Sequence, residues 1–223
     1  MGIGVKYIKT ILVTGIIVLL VSVLTQCMSG NDKRVKEATV QYGYYDYAGE
    51  EKCKSCHKDI YEQHVKTAHH LTSQPAEEKN IRGSFEKGRN SFSYSPLLNI
   101  AMEKRDSFLY QVVYFKNEEK MKMRFNITIG SGTMGQSYIE KRGNHFFQMP
   151  ITYFTAAKQW SNSPGFPPDK VLKDRPITAR CLECHATYAQ GEEGTEMEPT
   201  GFAADKMILS VGCEKCHGPA AKH

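Results

Sequence analysis

Three pentapeptides constrain this chain more than any other feature: Cys53-Lys54-Ser55-Cys56-His57, Cys181-Leu182-Glu183-Cys184-His185 and Cys213-Glu214-Lys215-Cys216-His217. They take up six of the seven cysteines. Cys-x-x-Cys-His is the pattern that attaches a c-type haem covalently. In a helical turn, residues three apart present both sulfurs on one side, where they meet the two vinyl groups of one porphyrin edge. The next residue is rotated by about 100° and turns its imidazole beneath the ring to bind the iron. Structural zinc is the ordinary alternative for a Cys-x-x-Cys pair, but zinc takes four N or S ligands, usually as two pairs, and three pairs do not divide that way. Disulfides or a thioredoxin-like redox pair would leave the histidine after every pair unexplained. The reading is three covalent haem c groups with iron, linked through Cys53, Cys56, Cys181, Cys184, Cys213 and Cys216 and ligated by His57, His185 and His217.

Composition agrees with a cofactor in the core. The 223 residues allow one or at most two compact domains. Beyond residue 26, apolar residues including glycine make up roughly two-fifths of the chain, below the usual figure of about 45 to 50%. Three porphyrins would supply the missing bulk. The formal net charge of +5 drops to +3 when Lys6 and Lys9 leave with the leader. Each ferric haem adds about +1 at its metal centre and about −2 from its propionates, so the oxidised holoprotein is close to neutral. The sequence pI near 8.7 is therefore no argument for nucleic acid as a partner. No glycine fingerprint for a nucleotide is present, and Gly130-Ser131-Gly132 is too short to cradle a phosphate.

Residues 1–26 have the layout of an export signal: Lys6 and Lys9, a run of mostly apolar residues from Ile8 to Leu24, then Leu24-Thr25-Gln26-Cys27. Cys27, the cysteine outside the pairs, is the candidate for lipidation, although Gln26 departs from the small residue that usually precedes a lipidated cysteine. An uncleaved membrane helix is the alternative, because the apolar run is at the short limit for a span. Either way the rest of the chain is expected outside the cytoplasm, periplasmic and tethered to a membrane by lipid or by an N-terminal helix.

Residues 27–50 read as a tether, and 51–223 as the cytochrome domain. From Cys53 to about Leu71 there is neither Gly nor Pro, which predicts a helix. Gln74 to Asn90 reads as loop. Over about 91–154 the period changes to two: Phe108, Tyr110, Val112 and Tyr114 alternate, as do Met121, Met123, Phe125, Ile127 and Ile129, which predicts antiparallel hairpins. Helical segments return around Cys181 and Cys213. The expected fold is mainly α and irregular around covalent haems, with an antiparallel β-hairpin insertion.

Five histidines remain once the proximal ligands are assigned: His64, His69, His70, His145 and His223. His223 follows His217 by six residues across Gly218-Pro219, where a turn can carry it to a neighbouring iron. His69 and His70 close the first helical stretch, and His64 lies seven residues after His57 on nearly the same face. His145, beside the Arg142-Gly143-Asn144 turn, reads as solvated.

With these residues in place, the chain resembles multihaem c-type cytochromes of the cytochrome c-554 family from about Tyr47 to His223. The matching pieces begin with Glu51-Lys52-Cys53 through His57, followed by Tyr61, Thr67 and His69. They continue with Gly130-Ser131-Gly132 and Ser137-Tyr138, Gln148-Met149-Pro150, Trp160 with Ser163-Pro164-Gly165, and Arg175-Pro176-Ile177 leading to Cys181. They end with Cys213 through His217, Gly218-Pro219 and His223. The resemblance implies closely packed haems that pass single electrons, and gives His69 and His223 the positions of distal iron ligands. The family usually has an aromatic residue where this chain has His64. Its members generally continue to a fourth haem, so the chain reads as a trihaem variant, a truncated piece or half of a split protein.

The function expected is that of an electron carrier rather than an enzyme. It would be an exported three-haem cytochrome exchanging single electrons with redox partner proteins, other cytochromes or quinol-linked membrane complexes. The alternatives are an oxidoreductase with one open iron acting on a small nitrogen compound, and a relay subunit of a larger membrane complex. No catalytic residue is assigned.

Overall fold

The computed structural model describes residues 15–16, 42–192 and 201–223. Residues 15 and 16 apart, the leader over 1–26, Cys27 and the tether up to residue 41 lie outside the described residues. The chain divides into two units, 1–41 and 42–223, and the second holds all three pentapeptides.

The first pentapeptide does not sit in one long helix. Helix α1 (Glu50–Cys56) stops at His57, whose φ of −114° and ψ of 42° lie outside helical values, and α2 (Lys58–His64) starts afresh. Glu50 and Glu51 occupy the first turn of α1, where negative charge complements the helix dipole. A 3₁₀ turn at His70–Thr72 then leads into strand β1 (Ser73–Pro75). Four strands follow as an antiparallel meander: β2 (Ser91–Ser95), β3 (Leu98–Arg105), β4 (Phe108–Phe115) and β5 (Glu118–Arg124). Lys116 and Asn117 both have positive φ between β4 and β5, the backbone that a tight hairpin turn demands.

A seven-stranded sheet continues from there. It contains β1, β6 (Ile127–Ile129), β7 (Gly135–Arg142), β8 (His145–Gln148), β9 (Ile151–Phe154), β10 (Gln159–Asn162) and β11 (Arg175–Pro176). Its main path runs β1-β6-β7-β8-β11, with β9 on β7 and β10 on β9. Helix α3 (Ala179–His185) carries the second pentapeptide and runs directly into β12 (Ala186–Tyr188), which pairs with β13 (Ile208–Leu209). Helix α4 (Cys213–His217) is the third pentapeptide itself. Among the described residues no helix is long and apolar enough to cross a membrane.

The expectation of a mainly α fold is overturned. Strand structure dominates, in three sheets, and the helices among the described residues are short. Strands also lie outside 91–154, at β1 and at β10 to β13. Strand β4 buries Leu109, Gln111, Val112 and Val113, whereas Phe108 is exposed and Tyr110 and Tyr114 are half-buried. Two of these rings carry cations, with the Arg124 guanidinium 3.6 Å above the Phe108 ring and the Lys122 ammonium 5.0 Å above that of Tyr110.

Two apolar clusters form the interior. The larger includes Ile100, Met102, Leu109, Val113, Met123, Phe125, Tyr138 and Trp160, and it joins the meander to the seven-stranded sheet. Buried Gln111 strengthens that junction: its Nε2 donates to the Ile151 carbonyl at 2.8 Å and its Oε1 accepts from the Ile151 amide at 3.0 Å. Gly83 lets the chain lie flat on the Trp160 ring, which any Cβ there would strike. The smaller cluster, with Ile127, Ile139, Phe146, Ile177, Leu182, Ala186 and Phe202, backs onto the second pentapeptide.

Candidate haem sites

The helices that carry the pentapeptides have almost no core of their own. Neither α1 nor α2 buries a residue, α3 buries only Leu182, and α4 buries only the charged Glu214. All six paired cysteines are free thiols; Cys56, Cys181, Cys184 and Cys216 are exposed, and Cys53 and Cys213 are half-buried. Amphipathic helices normally hide an apolar stripe. These instead turn thiols and imidazoles outward, as segments waiting for a large apolar group would.

Around the second pentapeptide that group has a shaped place. A cavity of about 230 Å³ is lined by Cys181, His185, Leu182, Ile129, Ile139, Ile177, Ser137 and Gln148. Half of its wall is branched aliphatic, Ile129 from β6, Ile139 from β7, Ile177 before α3 and Leu182 within it, and the rest is one thiol, one imidazole, Ser137 and Gln148. His185 is also oriented from behind: its Nδ1 lies 2.8 Å from Thr72 Oγ1. An iron bound at Nε2 requires the proton on Nδ1, and the Thr72 hydroxyl is placed to accept it. The residues present thus fit a covalently held haem.

The first and third pentapeptides come together although the sequence holds them far apart. Burial, followed by Cys53 and then Glu50, pushes the Cys213 thiol up. Buried Glu214 accepts hydrogen bonds through Oε1 from the Ala48 amide at 2.7 Å and the Ala220 amide at 2.8 Å, and through Oε2 from the Gly49 amide at 2.9 Å. Ala48 and Gly49 lead directly into α1, and Ala220 follows α4.

A short segment, His69 to Ser73, connects everything. The His69 carbonyl accepts from the Val211 amide at 3.2 Å. Buried Ser73 donates to the His185 carbonyl and accepts from the Ser210 amide at 2.8 Å. Thr187, just after the second pentapeptide, donates to the Ser210 carbonyl at 2.9 Å and accepts from the Gly212 amide at 2.8 Å. All three pentapeptides therefore lie in one region, meeting at this segment.

The remaining histidines occupy different surroundings. His64 Nε2 donates to the Val211 carbonyl at 3.0 Å, and its ring sits edge-on to His70 with centroids 5.5 Å apart. His70 Nε2 donates to the Glu50 carboxylate at 3.0 Å. His57, His69, His217 and His223 are exposed. His145 is not solvated as expected: it starts β8, is only partly exposed and has its Nδ1 buried. Beside the first pentapeptide, the Tyr61 hydroxyl donates to Glu51 Oε1 at 2.8 Å, which pushes the phenol up to about 12. The same bond, with help from Lys54, holds the Glu51 carboxyl below the usual range. Sequence reasoning missed Thr72, Ser73, Thr187 and Glu214, small or charged residues whose roles depend on partners remote in the chain.

Residues 154–218, which include the second and third pentapeptides, match the model of the family "cytochrome c554 and c-prime". This stretch is therefore similar to sequences of that cytochrome family. No curated protein matches the chain. Among solved structures, the outer cell wall cytochrome OcwA is similar with a TM-score of 0.48 and 19% identity, over 80% of this chain and 32% of that one. The chain thus spans about a third of that protein's length.

Proposed function

We propose that this chain is an exported three-haem c-type cytochrome that carries single electrons between redox partner proteins. The observation that carries the reading is the gathering of three Cys-x-x-Cys-His segments into one region whose helices bury almost no apolar side chain. Haem c, when bound, supplies one-electron chemistry at its iron. The chain's part is to hold each group by Cys53 and Cys56, Cys181 and Cys184, and Cys213 and Cys216, with His57, His185 and His217 as proximal ligands. Distal ligands come from His69, His223 and His64, and filled axial positions suit a carrier rather than an enzyme. The leader and Cys27 support a place outside the cytoplasm on a membrane tether, with other cytochromes or quinol-linked complexes as partners.

The test is the visible spectrum of the dithionite-reduced protein before and after carbon monoxide, scaled to protein. Three haems per chain and no change with carbon monoxide is the expected result. A haem count other than three, or a Soret shift of one third of the intensity, overturns the three-haem carrier. Release from membranes in Cys27→Ser is expected for lipidation, whereas retention points to the uncleaved helix.

A further inference from the structure

Glu214 is a peculiar residue to find inside an attachment motif. Of the variable positions in the three pentapeptides, only Leu182 and Glu214 are buried, and Leu182 is apolar and packs in the smaller core cluster. Glu214 is 5% exposed and carries a carboxylate. A buried carboxylate is retained only when hydrogen bonds replace its water. Here the replacements come from two segments. Ala48 and Gly49 donate from the stretch that opens α1, and Ala220 donates from the tail beyond α4. The tail is fixed a second time by the Ala221 amide, which donates to the Asp46 carbonyl at 2.9 Å. On the far side of the same contact, Val211 is held by the His69 carbonyl and by His64.

We propose that Glu214 is a positioning residue that makes the first and third attachment sites one redox unit. By gripping the approach to α1, its carboxylate holds α4 against the start of α1, so that haems attached to these two helices exchange electrons directly. Such an exchange moves one electron from one iron to the other and makes or breaks no bond. The proposal rests on the three-haem reading above. A carboxylate is required because three backbone N–H groups converge on two acceptor oxygens. In Gln the single oxygen takes the place of one carboxylate oxygen, and its NH₂ must face at least one backbone N–H.

The experiment is circular dichroism across the Soret band of the holoprotein, with haem content measured in parallel as the reduced pyridine haemochrome. Two haems held close and fixed give a bisignate band. The wild type is expected to show that band, and a variant with both Cys181 and Cys184 replaced by Ala, lacking the second haem, is expected to keep it. Glu214→Gln is expected to retain three haems while the amplitude falls at least twofold. Glu183→Gln, a change at an exposed carboxylate in the second pentapeptide, should leave the band at wild-type amplitude. A wild type with three haems and no bisignate band overturns the proposal without any variant, as does Glu214→Gln with an unchanged band. If Glu214→Gln fails to mature, the wild type and the Cys181→Ala, Cys184→Ala variant decide between them: loss of the band with the second haem also overturns it. Fewer than three haems in the wild type defeats the underlying reading instead.

Discussion

The sheets and the pentapeptide-bearing segments of residues 42–223 are held together by different means. Between β2 and β10 the chain does what apolar periodicity prescribes: long hairpins bury Ile100, Met102, Val113, Phe125 and Trp160 in a closed core, and Gln111 bolts one sheet to the other. The helices α1, α2 and α4 bury no apolar side chain at all. Their cohesion comes from a few buried polar side chains, Ser73, Thr187 and Glu214, that tie distant backbone groups together. The difference shows two ways of specifying a structure: where side chains fill the interior, packing does it, and where they do not, a few buried hydrogen bonds position the chain.

The largest expected effect removes the cofactor altogether. With all six paired cysteines changed to Ala, amides of β3 and β4 should stay strongly protected from hydrogen exchange, while those of 50–64 and 213–217 exchange within about tenfold of an unstructured chain. Equal protection in both regions would break the comparison. Next in size, Met102→Ala opens a hole in the closed core and should cost about 2 to 5 kcal/mol in urea unfolding. Haem content per folded chain should not change, and a loss of haem would show that the two regions are not separable. Ser73→Ala leaves the buried Ser210 amide and His185 carbonyl without their partner and should cost about 1 to 3 kcal/mol. Its effect should appear as faster exchange across 185–188 and 208–212, not in β3 or β4.

The smallest effect belongs to Glu140, whose carboxyl is pushed up by burial, an effect only partly offset by Arg142. A carboxyl raised in the folded state favours folding while neutral, so that contribution is present below the ordinary carboxylate pKa and is lost as pH rises through the raised value. Glu140→Gln should therefore raise Tm at pH 7 relative to the wild type and leave it nearly unchanged at pH 4. Arg142 retains Asp174 at 2.9 Å. A gain of equal size at both pH values would show that packing, not charge, is responsible.

What could be read from residues alone follows the same division. The attachment motifs need no fold to be recognised, because their spacing is dictated by the porphyrin edge. The hairpin of β4 and β5 was visible because the two strands are eight and seven residues long and alternate, while the second alternating run, from Met121 to Ile129, spans the end of β5 and the start of another sheet at β6. The short strands were not. β1 and β11 are three and two residues long and each contains a proline, so neither offers a run in which a period can register. The helix expected from Cys53 to Leu71 broke at His57 and ended at His64 with no Gly or Pro to mark either place. Ser73 and Glu214 were illegible for a stronger reason: their partners are far away in sequence.

That remoteness has a consequence in time. The bond between the Ala48 amide and Glu214 spans 166 positions, whereas the β-hairpins close between neighbours. Long loops close late and local contacts form early. A chain delivered from its N-terminus presents Cys53 to His57 long before residue 214 exists. The first pentapeptide therefore stays unclasped until residue 214 has been made, and this contact is among the last that the segment can form.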